Sequence, residues 1–461
     1  KKLLINQFHD IIPGSSINLV YQSTHKEYIE IHNGCDILIQ EASKELFEDS
    51  KDSFVLVNTL SYPWTGTIDI PENFKKYEIL DQHGKKVDTQ LKENHLIGLV
   101  NLPPLSFTTF KKGEVLEKVL DVNKNLVLEN NLVRYEFDDS GRLKSCFDKE
   151  SNQEFVDGFG NILSLYEDIP NNWDAWDIDF FYREALIETA SIIDIIPGVK
   201  GEFYQDIKFM FKIGNSRIKQ KISLNSFSKR LDFNTKVDWN EKHKMLRVYF
   251  PVNIRSDQAS FDIQYGYVKR NTHRNTSWDK AKFEVVGHKY ADLSDYDNGV
   301  ALMNDCKYGY MIHDNIIDLN LLRSPNNPDP DADKGDHNFT YSFFPHKNDL
   351  INSEVISEAS CLNQYPLLFN GVKSLNKIPL FLESGGLELS VLKKAEKKGC
   401  LVFRIVEKLG CNTKGFLYGS GQIIECDLIE WNQIGEKIEI KEKLELNFKP
   451  FEIRTFFLKN I

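Results

Sequence analysis

What the 461-residue sequence lacks narrows its role before any motif is considered. No stretch approaches the roughly 20 uninterrupted apolar residues of a membrane-spanning helix, so no membrane partner is expected. Clustered Lys and Arg are missing too: basic residues are scattered among acidic ones and the formal charge is −11. Phosphate backbones need grouped positive charge, which excludes a nucleic-acid partner, whereas a neutral substrate such as a sugar makes no such demand. The seven cysteines (35, 146, 306, 361, 400, 411 and 426) are odd in number, widely spaced and without a Cys-x-x-Cys pair. They read as free thiols of a reducing compartment, hence a cytoplasmic protein. The given residues show no signal peptide, although a truncated chain could have lost one, and no Gly-x-Ser-x-Gly elbow, phosphate-binding glycine loop, Cys/His nucleophile pair, internal repeat or low-complexity tail.

What is present is a soluble composition, 41% hydrophobic and 27% charged, in a chain long enough for two to four domains. It begins Lys1-Lys2-Leu3-Leu4, with no initiator Met and already inside an apolar helix end that runs to Phe8, and so reads as a fragment or processed product. Ser15 or Ser16 is expected to cap a second helix. From Ile17 the apolar residues follow a heptad rhythm (Ile17, Thr24, Ile31 and Leu38 beside Tyr21, Tyr28, Cys35 and Ala42), predicting a long amphipathic helix to about Phe47. One helix and a stub cannot close a bundle, so partner helices are expected upstream.

After Asp52 the texture changes to short strands punctuated by Pro, Gly, Asn and Asp, such as Phe54–Asn58, Thr67–Ile70 and Leu96–Val100. Asp138-Asp139-Ser140-Gly141 reads as a hairpin turn. Strand follows strand to about Phe344, which needs a large β-sandwich. Asn352 to Leu368 is ambiguous, and the strand pattern resumes from Gly386 to Leu458. The expected division is 1–50 helical, 51–125 a small β domain, 126–384 a large β-sandwich and 385–461 a smaller one.

The most unusual segment is Asn6-Gln7-Phe8-His9-Asp10-Ile11-Ile12-Pro13-Gly14-Ser15-Ser16. A His-Asp pair at a helix end, followed by a Pro-Gly turn, projects an imidazole from a rigid support. Alone, such a pair reads more readily as a cap or a surface feature. His25 and His32, seven apart on the long helix, share a face but lack a third donor and read as solvent-facing. His273, His313, His337 and His346 are single residues without metal spacing. Trp173 and Trp176 with Asp174 and Asp177 form an aromatic-plus-carboxylate cluster of the kind that binds sugars. Trp173 is expected to pack within its turn, and Trp176 and Asp177 to face a cleft. Arg323 precedes an Asp- and Pro-rich loop and by itself would pair with its neighbours.

The segment around His9 resembles the signature Q-[FH]-H-D-x-[IL]-x-G-[ST] of family 38 glycoside hydrolases, the retaining α-mannosidases, especially the cytosolic, vacuolar and bacterial branch. The resemblance continues in order through Trp173–Asp179, Tyr265-Gly266, Lys269–His273, Asn304–Tyr310, Leu321–Pro325, Pro328–Asp333, Phe339–Tyr341 and Phe344–His346. It implies a mainly β fold with an N-terminal helical segment. That is the end of a helical-bundle domain, a small β domain, a large supersandwich of the galactose-mutarotase-like kind and a C-terminal β-sandwich. It also implies a zinc ion held by two His and two Asp, with His9 as the fourth ligand. The other three ligands, the nucleophile and the acid/base carboxyl are expected upstream of Lys1, so none of the catalytic carboxylates is assigned here. Asp10 is implied to bind hydroxyls of the mannose in the −1 subsite, and Arg323 to reach into the cleft, beside Trp176 and Asp177. The expected partners are a mannose-containing oligosaccharide and the missing catalytic domain, with room left for a homo-oligomer. The rival reading is a stand-alone carbohydrate-binding or structural β-sandwich protein.

Overall fold

The computed structural model describes residues 1–115, 121–123, 125–373, 380–383, 385–396 and 399–459. It opens on a short helix, α1 (Lys2–Ile5), then a run of turns, then the long helix α2 (Asn18–Leu46). Val20, Tyr21, Thr24, Glu27, Tyr28 and Ile31 are half-buried at three- and four-residue steps, so a single stripe of the first turns is covered. From His32 to Ala42 every residue is exposed, Ile37 and Leu38 among them. The expected serine cap is not formed. Ile17 occupies the N-cap position, while Ser15 Oγ donates to the Asp10 carbonyl and the Ser16 N–H to the Tyr21 hydroxyl. Both serines brace the preceding turn instead. At the far end Phe47 is buried, and Phe47–Glu48 pair with Val372–Lys373.

The strands that follow build two small sheets. Five strands include Ser53–Asn58, buried at every position, and Ser106–Val115; the late strand Leu367–Asn370 returns to complete this sheet. Trp64–Asp69, Thr89–Lys92 and His95–Leu102 form the second. Phe54, Phe74 and Phe110 fill the core, with Phe54 stacked on Phe110 at 5.2 Å.

Residues 126 to 347 form the large sandwich, and one continuous core takes side chains from a six-stranded and a nine-stranded sheet. Alternation is clean where one face is covered: along Leu231–Trp239 every odd-numbered residue is buried. Inside, Asn161, Gln220 and Tyr341 close a ring of three hydrogen bonds of 2.8, 2.8 and 2.6 Å, so these buried polar groups satisfy one another. Three neighbouring strands of the six-stranded sheet matter below: β1 (Ile162–Glu167), β2 (Lys244–Pro251) and β3 (Ile316–Arg323). The ambiguous stretch after Asn352 contains a helix, Val355–Asn363, whose Val355, Ile356, Ala359 and Leu362 are buried. The last six strands form one further sheet around Phe403 and Phe456, stacked at 5.1 Å. The fold is thus mainly β with an N-terminal helical segment. No helix among the described residues is long and apolar enough to cross a membrane.

Candidate functional site

Register places the site. In the antiparallel ladder Glu167 of β1 faces Lys244 of β2, and Met245 faces Arg323 of β3. The end of β1, the start of β2 and the end of β3 therefore share one edge of the sheet. Loops leaving that edge, 170–177 and 327–328, meet the turn 9–15 around a cavity of about 1020 Å³. His9, Asp10, Trp173, Asp174, Trp176 and Asp177 all line it.

The His9 turn is held from below. The Asp10 carbonyl accepts from the Tyr21 hydroxyl at 3.3 Å and from Ser15 Oγ at 3.5 Å. Both functional side chains stay open, with 69% of the His9 and 50% of the Asp10 side chain exposed and His9 Nε2 3.5 Å from Asp10 Oδ2. His9 also meets the edge of Trp176, ring centroids 6.3 Å apart. Across the cavity the Trp173 carbonyl accepts from the Trp176 and Asp177 N–H groups, closing a tight turn. Trp173 sits at φ +57, and its indole is 75% exposed and lines the cavity. It does not pack within the turn, because a turn this tight leaves no interior for an indole.

Arg323 lies behind this loop and is absent from the cavity lining. Its guanidinium pairs with Asp168 and donates to the carbonyls of Asp174, at 2.8 Å, and Asp177. Burial pushes the Asp168 carboxyl above its ordinary range, although the Arg323 charge opposes this. The Asp174 carboxylate accepts from the N–H groups of Asn326 (2.7 Å) and Asn327 (2.9 Å) and contacts His243 Nε2 at 3.0 Å. One carboxylate thus ties the two loops together. Asn18 Nδ2 donates to the buried Asp329 at 3.1 Å, fixing the start of α2 to the same region. Asp168 and His243 carried no signal in the sequence, since their place follows from strand register alone.

Among the described residues no group of three or more His, Cys, Asp or Glu side chains could hold a metal ion. The donor set in the cavity is one open imidazole with a carboxylate beside it. That suits a single contribution to a shared site and not a complete one. Cys35, Cys146, Cys306, Cys361, Cys400 and Cys411 are free thiols.

This constellation, an imidazole, carboxylates and exposed indoles at the loop edge of a β-sandwich, goes with sequence profiles of one class, the glycosyl hydrolases. Residues 1–46 match the alpha mannosidase middle domain, 128–331 the glycosyl hydrolases family 38 C-terminal domain and 386–456 the family 38 C-terminal beta sandwich domain. The chain belongs to glycosyl hydrolase family 38 and carries its C-terminal domains. It is 34% identical over 526 residues to Alpha-mannosidase G of Dictyostelium discoideum, covering 100% of this chain and 48% of that protein. It is 32% identical over 486 residues to Alpha-mannosidase 2C1 of Homo sapiens, covering 99% of this chain and 44% of the relative. The chain thus spans about half the length of these curated relatives. Its fold matches the crystal structure of an alpha-mannosidase from Enterococcus faecalis V583 with a TM-score of 0.77 at 17% identity, over 99% of this chain and 62% of that one.

Proposed function

We propose that this chain is the part of a retaining, zinc-dependent α-mannosidase that walls the sugar cleft and supplies one metal ligand. The observation that carries the reading is the meeting of His9 and Asp10 with the Trp173–Asp177 loop around one cavity, from segments more than 150 residues apart. His9 would hold the zinc through a neutral ring nitrogen, and the hydrogen bonds of Tyr21 and Ser15 to the Asp10 carbonyl brace the backbone turn that carries it. Zinc, when bound, supplies a Lewis acid that contacts sugar hydroxyls. Asp10, 50% exposed, would accept hydroxyl protons of a mannosyl residue. The indole of Trp176 offers a flat apolar face for the C–H surface of a pyranose, and Asp177 adds a second acceptor. Arg323 acts by holding the loop that presents them. The nucleophile and acid/base carboxyls come from outside these residues. The substrate is a mannose-containing oligosaccharide and the compartment the cytoplasm, in keeping with the free thiols.

Activity on an aryl α-mannoside tests the reading. The purified 461-residue chain should be inactive, and a protein the length of its relatives active. In that longer protein His9→Ala should lower bound zinc and cut the rate by about 100-fold or more. Robust hydrolysis by the 461-residue chain alone would overturn the proposal. The rival reading, a stand-alone carbohydrate-binding protein, draws on the exposed indoles of Trp173 and Trp176. It expects full sugar affinity from this chain without zinc.

A further inference from the structure

The last sheet of the molecule ends in a strand with one open side. Within it β4 (Thr413–Cys426) pairs with β5 (Gln433–Phe448), from Thr413 opposite Phe448 to Cys426 opposite Gln433. The other side of β4 is taken by Leu380–Glu383 and Ile453–Lys459. Among the described residues no strand pairs the far side of β5, so a strand of 16 residues forms the edge of the sheet. Such an edge offers a row of unpaired N–H and C=O groups to any strand that fits it.

The two faces of β5 differ. Its even-numbered residues turn to the core, where Ile440, Leu446 and Phe448 are buried and Leu444 packs against them. Nearer the tip Ile438 is 38% and Ile434 65% exposed, so this row runs past the core that covers it. The odd-numbered Lys437, Glu439, Lys441, Lys443 and Glu445 lie on the opposite face, all exposed. Within the chain Lys414 reaches Glu445 at 3.1 Å, and the Lys443 ammonium lies 3.8 Å from the centre of the Phe416 ring. Both contacts come from the β4 side and leave the open edge unused. Charges on an edge strand commonly guard it, but a guard works by setting like charges against one another.

A second copy of β5, antiparallel about a two-fold axis at Lys441, sets opposite charges together instead. Odd residues must meet odd ones, because a slip of one residue would carry the charges to the core face. With Lys441 on the axis, Lys437 stands opposite Glu445 and Glu439 opposite Lys443, and symmetry makes each pair twice. On the core face Ile438 meets Leu444, which covers a side chain that the single sheet leaves part exposed. The two Lys441 side chains meet each other, and Glu439, 3.9 Å from its own Lys441, offsets them. Other registers are poorer. An axis at Ile440 sets Lys437 against Lys443, and one at Glu442 sets Lys441 against Lys443 and Glu439 against Glu445. Glu442 has φ +110, yet the ladder with β4 passes through it without a shift of register.

We infer that β5 is a self-association surface on which two copies of this chain join by antiparallel strand addition, in the register centred on Lys441. The two sheets then become one continuous sheet. An interface carried by one strand pair is at the small end of specific contacts, and a Kd of about 10 μM is expected.

Sedimentation equilibrium of the 461-residue chain tests this. The chain should pass from monomer to dimer between about 1 and 100 μM. Lys437→Glu and Glu445→Lys should each weaken the dimer by about 10-fold or more, since each sets like charges opposite one another twice. Combined in one chain, the two substitutions restore opposite charges and should return the dimer to near the parent affinity. All three variants alter exposed side chains and should melt at the parent Tm. Amide hydrogen exchange between Lys437 and Glu445 should slow in step with dimer formation. A chain that stays monomeric up to about 100 μM overturns the inference. So does a dimer indifferent to the charge reversals, which would assign the contact to the exposed apolar row of α2. A double variant no tighter than the single ones overturns it as well.

Discussion

At the scale of single residues, two buried pairs respond to pH in ways their surroundings dictate. His346 is fully buried, with Nε2 2.7 Å from Asp292 Oδ1 and Nδ1 3.2 Å from the Lys347 carbonyl. Both partners can accept, so they favour the imidazolium, which donates from both ring nitrogens. Burial works against that charge, yet Asp292 and the carbonyl outweigh it and the pKa is raised above 6.5. A histidine whose folded pKa is raised contributes stability that is fully present below about pH 6.5 and lost as pH rises through the folded value. Asp292→Asn should therefore lower Tm more at pH 6 than at pH 9, which thermal melts at the two pH values will show. Arg323 and Asp168 act in the other direction. Arg323→Met strands a buried carboxylate and should cost about 3 kcal/mol at pH 8, and less as the pH falls, because burial raises the Asp168 pKa and protonation removes the stranded charge. Urea unfolding checks this, and adding Asp168→Leu should recover part of the loss. Trp176, 54% exposed, should behave differently again. Trp176→Ala should weaken mannoside binding by about 10-fold while leaving Tm unchanged, as titration calorimetry and a melt on the same sample would report.

At the scale of elements, turns carry the strictest demands. Gly141 closes the hairpin after Phe137 at φ +74, and a Cβ there would lie 2.7 Å from the Phe211 ring. Gly141→Ala combines backbone strain with a clash and should cost about 1–3 kcal/mol, read as a shifted urea midpoint at an unchanged slope. That turn was legible in the sequence because Asp-Asp-Ser-Gly between apolar runs specifies a local conformation. So was the His9 turn, whose Pro-Gly pair follows a helix end. The cap of α2 was misread, since Ser15 and Ser16 satisfy the same preferences by bonding back to Asp10 and Tyr21. Nothing local marks Asp168 or His243. They join Arg323 and Asp174 only because β1, β2 and β3 are neighbours, and pairing between strands some 80 residues apart leaves no trace in either strand. Arg323 was visible as a charged residue before a loop, but its position beneath the Trp173–Asp177 turn follows from the sheet.

At the scale of the molecule, apolar side chains reach solvent in more than one place. The sandwich leaves Leu186, Ile187, Ile193 and Trp278 exposed, and α2 leaves Leu19, Ile29, Ile37, Leu38 and Ile39 in solvent. An exposed apolar row of this size binds hydrophobic dyes and favours self-association. The isolated chain should enhance the fluorescence of such a dye, and the double substitution Ile37→Glu and Leu38→Glu should reduce that signal without lowering Tm.

The same helix has a further consequence. It is tethered at both ends, through Asn18 to Asp329 beside the cleft and through Phe47 to the strand pair with Val372 and Lys373. Its 29 residues make a ruler of about 43 Å between the sugar cavity and the small β sheets. A ruler of this kind tolerates changes in its exposed side chains but not in its count. One residue added near Gly34 turns one half against the other by about 100° and lengthens it by about 1.5 Å. Either Phe47 must leave its pocket or the His9 turn must swing from the Trp176 edge. Along this segment, length should therefore be more tightly fixed than composition.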